Sequence, residues 1–191
     1  SKQLIRHLEH PNGWWRDMAQ QTMILNQDKS IIPELIEMAS SSKNELARVH
    51  ALWTLEGLGG LTPDLVKKFI SDSNPKLQMQ GLRAAETLYK YGEKSLADLY
   101  TKAASDANPE VAIQALLSAR VLKINNVDQL IKAVLQKNPS QGIQVVGTQL
   151  LEKLEEAKKA AETKFEKEEL ALFVKGKTIF DSYCSTCHGP K

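Results

Sequence analysis

Asn74-Pro75-Lys76-Leu77-Gln78-Met79-Gln80-Gly81-Leu82-Arg83-Ala84-Ala85-Glu86-Thr87-Leu88 and Asn108-Pro109-Glu110-Val111-Ala112-Ile113-Gln114-Ala115-Leu116-Leu117-Ser118-Ala119-Arg120-Val121-Leu122 overlay without a gap. Each opens on Asn-Pro. An asparagine side chain satisfies free N–H groups at a helix start, and proline suits the first helical position, where its missing N–H is not needed. Behind each asparagine, apolar residues recur at offsets of 5, 8, 11 and 14: Met79, Leu82, Ala85 and Leu88, then Ile113, Leu116, Ala119 and Leu122. Steps of three place them on one helical face.

The unit repeats along the chain. Asn12, Asn44, Asn74, Asn108 and Asn138 punctuate it at intervals of 32, 30, 34 and 30 residues, and Asn138 is again followed by proline. Leu52, Leu55 and Leu58 take the same face in the second repeat, and Val49 and Ile143 take the offset of 5. The first repeat fits less well, with Ala19 and Met23 beside a polar Gln20, as expected of a terminal repeat. A second helix follows each break, over residues 31–39, 63–71, 94–105 and 127–136. Pro33 and Pro63 lie in first turns, and glycines at 57, 59, 60 and 92 end the preceding helices. No two-residue alternation supports a sheet. The expectation is an all-α protein. Residues 1–150 form an α-solenoid of short HEAT-like helix pairs, an armadillo-type superhelix in which neighbours share one core. The tetratricopeptide pattern of Trp, Leu-Gly and Tyr is not reproduced.

The pattern changes after Ile143. Gly142 and Gly147 interrupt the fifth first-helix, and Leu150 to Glu169 is dense in Lys, Glu and Ala. Residues 151–172 read as a long charged connector or capping helix, helped by pairs such as Glu155–Lys159 and Lys158–Glu162. Phe173, Ile179, Phe180 and Tyr183 resume an apolar face.

That face leads into Cys184-Ser185-Thr186-Cys187-His188-Gly189-Pro190, which contains the Cys-x-x-Cys-His attachment signature of a c-type haem. Two thiols three residues apart can each form a thioether to one porphyrin, and the adjacent imidazole can ligate the iron. The signal is specific because these are the only 2 cysteines in the chain. A redox dithiol and a zinc half-site remain alternatives. The first would normally sit in a βαβ unit, and none is visible; the second would want a fourth ligand, and none is found at matching spacing. The sequence ends three residues after His188, so residues 173–191 read as the truncated start of a cytochrome c domain. No distal ligand can be named; Met18, Met23, Met38 and Met79 lie in the repeats and are expected in the core.

Composition narrows the remaining classes. With 25 basic and 23 acidic residues interspersed, there is no basic stripe for nucleic acid. No apolar run approaches a membrane span, and there is no leader-like start, which reads as a piece of a longer protein. His50, in the second repeat near Trp53, is expected to be a hydrogen-bonded interior or groove histidine, and His7 and His10 complete the set outside the motif. Arg16 and Arg48 share the offset of 4, beside Asp17 and Glu45, and are expected to form ion pairs within the stack rather than to bind anions. There is no glycine-rich phosphate loop, Ser/His/Asp set or carboxylate pair calling for catalysis.

Residues 13–20 (Gly-Trp-Trp-Arg-Asp-Met-Ala-Gln), residues 47–59 (Ala-Arg-Val-His-Ala-Leu-Trp-Thr-Leu-Glu-Gly-Leu-Gly) and the Gly176–Gly189 opening resemble the HEAT-like segment and adjoining cytochrome start of large secreted bacterial c-type cytochromes. This is the membrane-bound-dehydrogenase or haem-binding-domain family of Planctomycetes, Verrucomicrobia and Bacteroidetes. The resemblance implies a dehydrogenase-like β-propeller before the repeats, docking near Trp14 and Trp15, and a haem c domain after them. It implies covalent haem on Cys184 and Cys187, with His188 as the proximal iron ligand. It also implies a periplasmic or cell-surface location, with a redox partner protein taking electrons from oxidation of a sugar or alcohol. The present chain, lacking propeller and cytochrome body, is expected to be non-catalytic and, made without maturation, free of haem. The competing functional readings are a pure protein-interaction scaffold and a zinc-binding adaptor.

Overall fold

The computed structural model describes residues 2–162 and 167–180. Within them the protein is all-α, with eleven α-helices and no strand. In order these are α1 (Lys2–Ile5), α2 (Gly13–Asn26), α3 (Ile32–Ser41), α4 (Glu45–Gly57), α5 (Pro63–Ile70), α6 (Pro75–Lys90), α7 (Ala97–Ala103), α8 (Pro109–Val121), α9 (Val127–Lys137), α10 (Gln141–Glu162) and α11 (Lys167–Ile179). Short 3-10 turns precede α2, α3 and α7. The chain divides into two compact units, residues 1–151 and 152–191.

In the first unit the asparagines act as expected at four of five positions. The side chains of Asn12, Asn44, Asn74 and Asn108 each accept from a backbone N–H in the first turn of α2, α4, α6 and α8. Asn138 differs. It ends α9, its side chain accepts from Ser140 N at 3.0 Å, and α10 starts only at Gln141, with the Ser140 carbonyl taking the first helical bond from Gln144. The cap position of the fifth repeat is therefore Ser140. Counted from there, Ile143 falls at offset 3, alongside the buried Ala47, Leu77 and Val111. Gly147 falls at offset 7, alongside the buried Ala19, Ala51, Gly81 and Ala115.

Those small residues set the packing. α3 lies against α4, α5 against α6 and α7 against α8, so these three second helices pack most closely on the first helix of the next repeat. This differs from the pairing expected from the sequence, in which each first helix joins the second helix after it. A Cβ added at Gly81 would stand 2.7 Å from Phe69 Cβ and 2.8 Å from the Ile70 backbone nitrogen, so α6 and α5 meet backbone to backbone. At Gly147 an added Cβ would stand 2.7 Å from Leu135 Cδ2 of α9, a contact with a side chain rather than with backbone. This accounts for the helical glycine there.

First helices also touch in series, α2 on α4, α4 on α6 and α6 on α8. Leu52, Leu55, Leu58, Leu82, Ala85, Leu116 and Ala119 are buried, and Leu88 and Leu122 are half-buried. Each fully buried leucine contributes roughly 1.5–3 kcal/mol. Of the methionines, Met23 is fully buried and Met18, Met38 and Met79 are half-buried. The first helices end on left-handed residues: Gln27, Gly59, Gly92 and Lys123 have φ of 49°, 66°, 114° and 53°. Only the two glycines were readable as such from sequence.

α10 runs from Gln141 to Glu162, so the charged residues up to Glu162 prolong the helix of the fifth repeat, while Lys167–Glu169 belong to α11. The side-chain pairs expected at 155–162 fall partly outside the described side chains. In the second unit α11 exposes Leu172, Phe173, Val174 and Ile179.

Candidate functional site

Cys184, Cys187 and His188 lie outside the described residues. Within the described residues two systems bring the sequence's candidate side chains together. Both lie at junctions between repeats.

The first is the offset-4 side chain. Arg48 donates from Nε to the Ala39 carbonyl at 3.0 Å, pairs with the Asp72 carboxylate at 2.9 Å, and lies over the Phe69 ring at 5.1 Å. The pair is largely enclosed, with side-chain exposures of 13% and 17%, which puts it above the near-zero value of a surface pair. Burial works to raise the Asp72 carboxyl. The Asn74 N–H and the Arg48 guanidinium outweigh it and hold the pKa below the ordinary aspartate value. The expected ion pair is thus present at Arg48, but its partner is Asp72 and not Glu45. Arg16 forms no ion pair among the described residues. It donates to the carbonyls of His10 and Pro11 at 2.6 and 3.0 Å and to His50 Nε2 at 3.2 Å. In the fifth repeat Gln144 does the equivalent, donating to the carbonyls of Leu135 and Asn138. Arg16 and Gln144 thus tie a cap loop to the helix it opens, whereas Arg48 joins α4 to α3 and to the loop before α6.

That loop has a second device, invisible to a search for asparagines alone. The residue two before each cap accepts the cap's own N–H: His10 for Asn12, Ser42 for Asn44, Asp72 for Asn74, Asp106 for Asn108 and Asn138 for Ser140. The signal was available as Asp-x-Asn-Pro at residues 72–75 and 106–109.

The second system is a row of polar contacts between successive first helices. His50 pairs through Nδ1 with Gln20 Oε1 at 2.7 Å, which explains the polar residue in the first repeat. Trp53 Nε1 donates to Gln80 at 2.8 Å, and Arg83 lies over the Trp53 ring at 5.6 Å. Thr87 donates to Glu56 at 2.9 Å, and Ser118 to Glu86 at 2.6 Å. Each bond spans 27 to 32 residues, about one repeat. Gln80, Thr87 and Ser118 do not stand out in the sequence, because a polar residue on a helix reads as solvated until its neighbour is known.

At the leading end, His7 stacks on Trp15 at 5.6 Å, His10 lies 5.7 Å from the same ring, and Trp14 meets Trp15 edge-on. Trp14 and Trp15 remain 59% and 45% exposed, more surface than internal packing would leave. His10 Nδ1 accepts from Asn12 N–H, so this nitrogen bears no proton and is engaged in the cap. That disfavours His7 and His10 as a metal pair, and no group of three metal-ligating side chains exists among the described residues. No described helix is long and apolar enough to cross a membrane. Nothing in these arrangements presents a nucleophile beside a base. The chemistry they perform is cohesion between repeats.

The sequence matches no protein-family model, and comparison with curated proteins gives no match either.

Proposed function

We propose that this chain is the scaffold segment of an extracytoplasmic c-type cytochrome oxidoreductase, a short HEAT-like solenoid that joins a substrate-oxidising domain to a haem c electron-transfer domain. The observation that carries the reading is the Cys184-x-x-Cys187-His188 spacing, which holds the only 2 cysteines of the chain. Two thiols and an imidazole at this spacing are the donor set for covalent attachment and axial ligation of haem. Cys184 and Cys187 would hold the porphyrin by thioethers and His188 the iron, which when bound supplies one-electron transfer. The helix pairs, serially bonded through Arg48–Asp72 and the first-helix row, would provide the rigid spacing between the domains. The exposed Trp14 and Trp15 support a docked domain at the leading end. Covalent haem attachment places the mature protein in the periplasm or at the cell surface, with a redox partner protein as electron acceptor.

The test is the intact mass and visible spectrum of the full-length parent protein expressed with cytochrome c maturation machinery. A gain of one haem, lost in the Cys184→Ser/Cys187→Ser variant, supports the reading. No gain sinks it and leaves an interaction scaffold. Stoichiometric zinc in place of haem would make the chain an adaptor built on the same residues.

A further inference from the structure

Arg48 fills a slot that the next repeat leaves open. Its guanidinium sits between the Ala39 carbonyl, the Asp72 carboxylate and the Phe69 ring. Relative to the cap asparagines these are the offset-4 residue, then the positions five before its own cap, two before the next cap and five before the next cap. One repeat later the equivalents of Arg48, Asp72 and Phe69 are Gln78, Asp106 and Ala103. Asp106 keeps the turn bond of its counterpart, Oδ1 accepting from Asn108 N–H at 2.8 Å against 2.9 Å for Asp72 and Asn74. No cation pairs with Asp106 among the described residues, whereas the second oxygen of Asp72 takes Arg48. Glutamine is too short to bridge, and alanine removes the ring that walled the slot. The consequence is a cleft of about 580 Å³ lined by Ile70, Gln78, Leu99, Lys102, Asp106 and Val111.

We propose that this cleft binds an arginine side chain presented by a partner polypeptide, its guanidinium pairing with Asp106 as Arg48 pairs with Asp72. The charge fits, since a carboxylate with a free edge accepts a guanidinium fork. The Gln78 amide oxygen is a second acceptor within the same cleft. Ile70, Leu99 and Val111 offer apolar walls to the aliphatic stem and to an apolar neighbour in the partner chain. Lys102, exposed at the rim, works against any cation and sets an upper limit on affinity. The inference does not depend on haem and holds for the repeats irrespective of the domain attached to them.

The experiment titrates the isotopically labelled chain with an acetylated, amidated Arg-Leu dipeptide and monitors backbone amide signals. Saturable shifts centred on Gln78 and Val111 are expected. The citrulline analogue, equal in shape and uncharged, binds about tenfold more weakly or worse. Asp106→Asn, which keeps the turn acceptor, weakens binding to the same extent. Gln78→Arg occupies the slot from within and abolishes binding while raising the midpoint of thermal unfolding, and Lys102→Ala tightens binding. Circular dichroism verifies that each variant is folded. Absence of saturable binding to the unmodified chain overturns the proposal. So does equal binding of the citrulline analogue, or binding indifferent to both Asp106→Asn and Gln78→Arg. Free arginine binding as tightly as the capped dipeptide overturns the polypeptide occupant.

Discussion

His50 Nε2 accepts a hydrogen bond from the Arg16 guanidinium across the boundary of the first two repeats, 3.2 Å from Nε, while Nδ1 bonds Gln20 at 2.7 Å. An acceptor for arginine must be an unprotonated nitrogen, so the imidazole is neutral, with its proton on Nδ1. Burial, reinforced by the Arg16 charge and opposed by Asp17, lowers its pKa below the ordinary 6.5.

Linkage sets the sign of the pH dependence. The unfolded chain takes up the His50 proton first as pH falls, so the stability due to this residue is complete above about 6.5 and declines from there toward the folded pKa. Unfolding midpoints in denaturant should be level above that pH and fall below it, and His50→Gln should flatten the decline. A directly titrated His50 pKa at or above the ordinary value would refute the arrangement.

Arg48 and Asp72 should be strongly coupled. Arg48→Ala leaves a largely enclosed carboxylate unpaired, at a cost of about 2–3 kcal/mol. A double-mutant cycle with Asp72→Asn should give a coupling of roughly 1–3 kcal/mol. Because the folded Asp72 pKa is lowered, its contribution is complete above the ordinary 3.8 and is lost as pH falls through the folded value. Additive single variants would show that the pair is incidental.

Glycine to alanine should have opposite signs at two helical positions. At Gly81 the new methyl meets Phe69 Cβ and the Ile70 backbone, and the expected loss is about 1–3 kcal/mol despite the better helix former. At Gly176 nothing lies within 4 Å, so Gly176→Ala should raise helicity, by roughly 0.5–1 kcal/mol for that helix. Thermal melts of the first variant and far-ultraviolet dichroism of the second provide the comparison.

Lys123 holds a left-handed conformation at φ 53°, where a Cβ costs about 1–2 kcal/mol. Lys123→Gly should stabilise by about 0.5–1 kcal/mol, somewhat less than the strain because glycine also frees the unfolded chain. Gln27, at φ 49°, should not gain likewise, since its side-chain amide donates to the carbonyls of Ile24 and Gly57. Equal effects at the two positions would contradict this account.

The helices were legible because their determinants are local. Asn44, Asn74 and Asn108 cap through contacts two or three residues away, and the leucines after them share a face set by helical period alone. Asn138 misled because an asparagine followed by proline reads as a cap, whereas the cap two residues later is an ordinary serine. The partner of Arg48 was not legible. Glu45 is near in sequence, but a loop 24 residues on brings Asp72 to the guanidinium, and that depends on how α4 and α6 stack. The polar row was hidden for the same reason. His50 was expected to be hydrogen-bonded, yet the identity of Gln20 as its partner requires the repeat interval as well as the helix phase.

The 3 tryptophans all fall in α2 and α4, within the first 53 residues. Trp14 and Trp15 face solvent, while Trp53 is half-buried with its indole bonded to Gln80. Intrinsic fluorescence is therefore a local probe of one end of a chain whose repeats bond mainly to their neighbours, while circular dichroism averages over every helix. If the two signals report different melting points, the repeats unfold progressively, and the order of their loss can be read from unmodified protein.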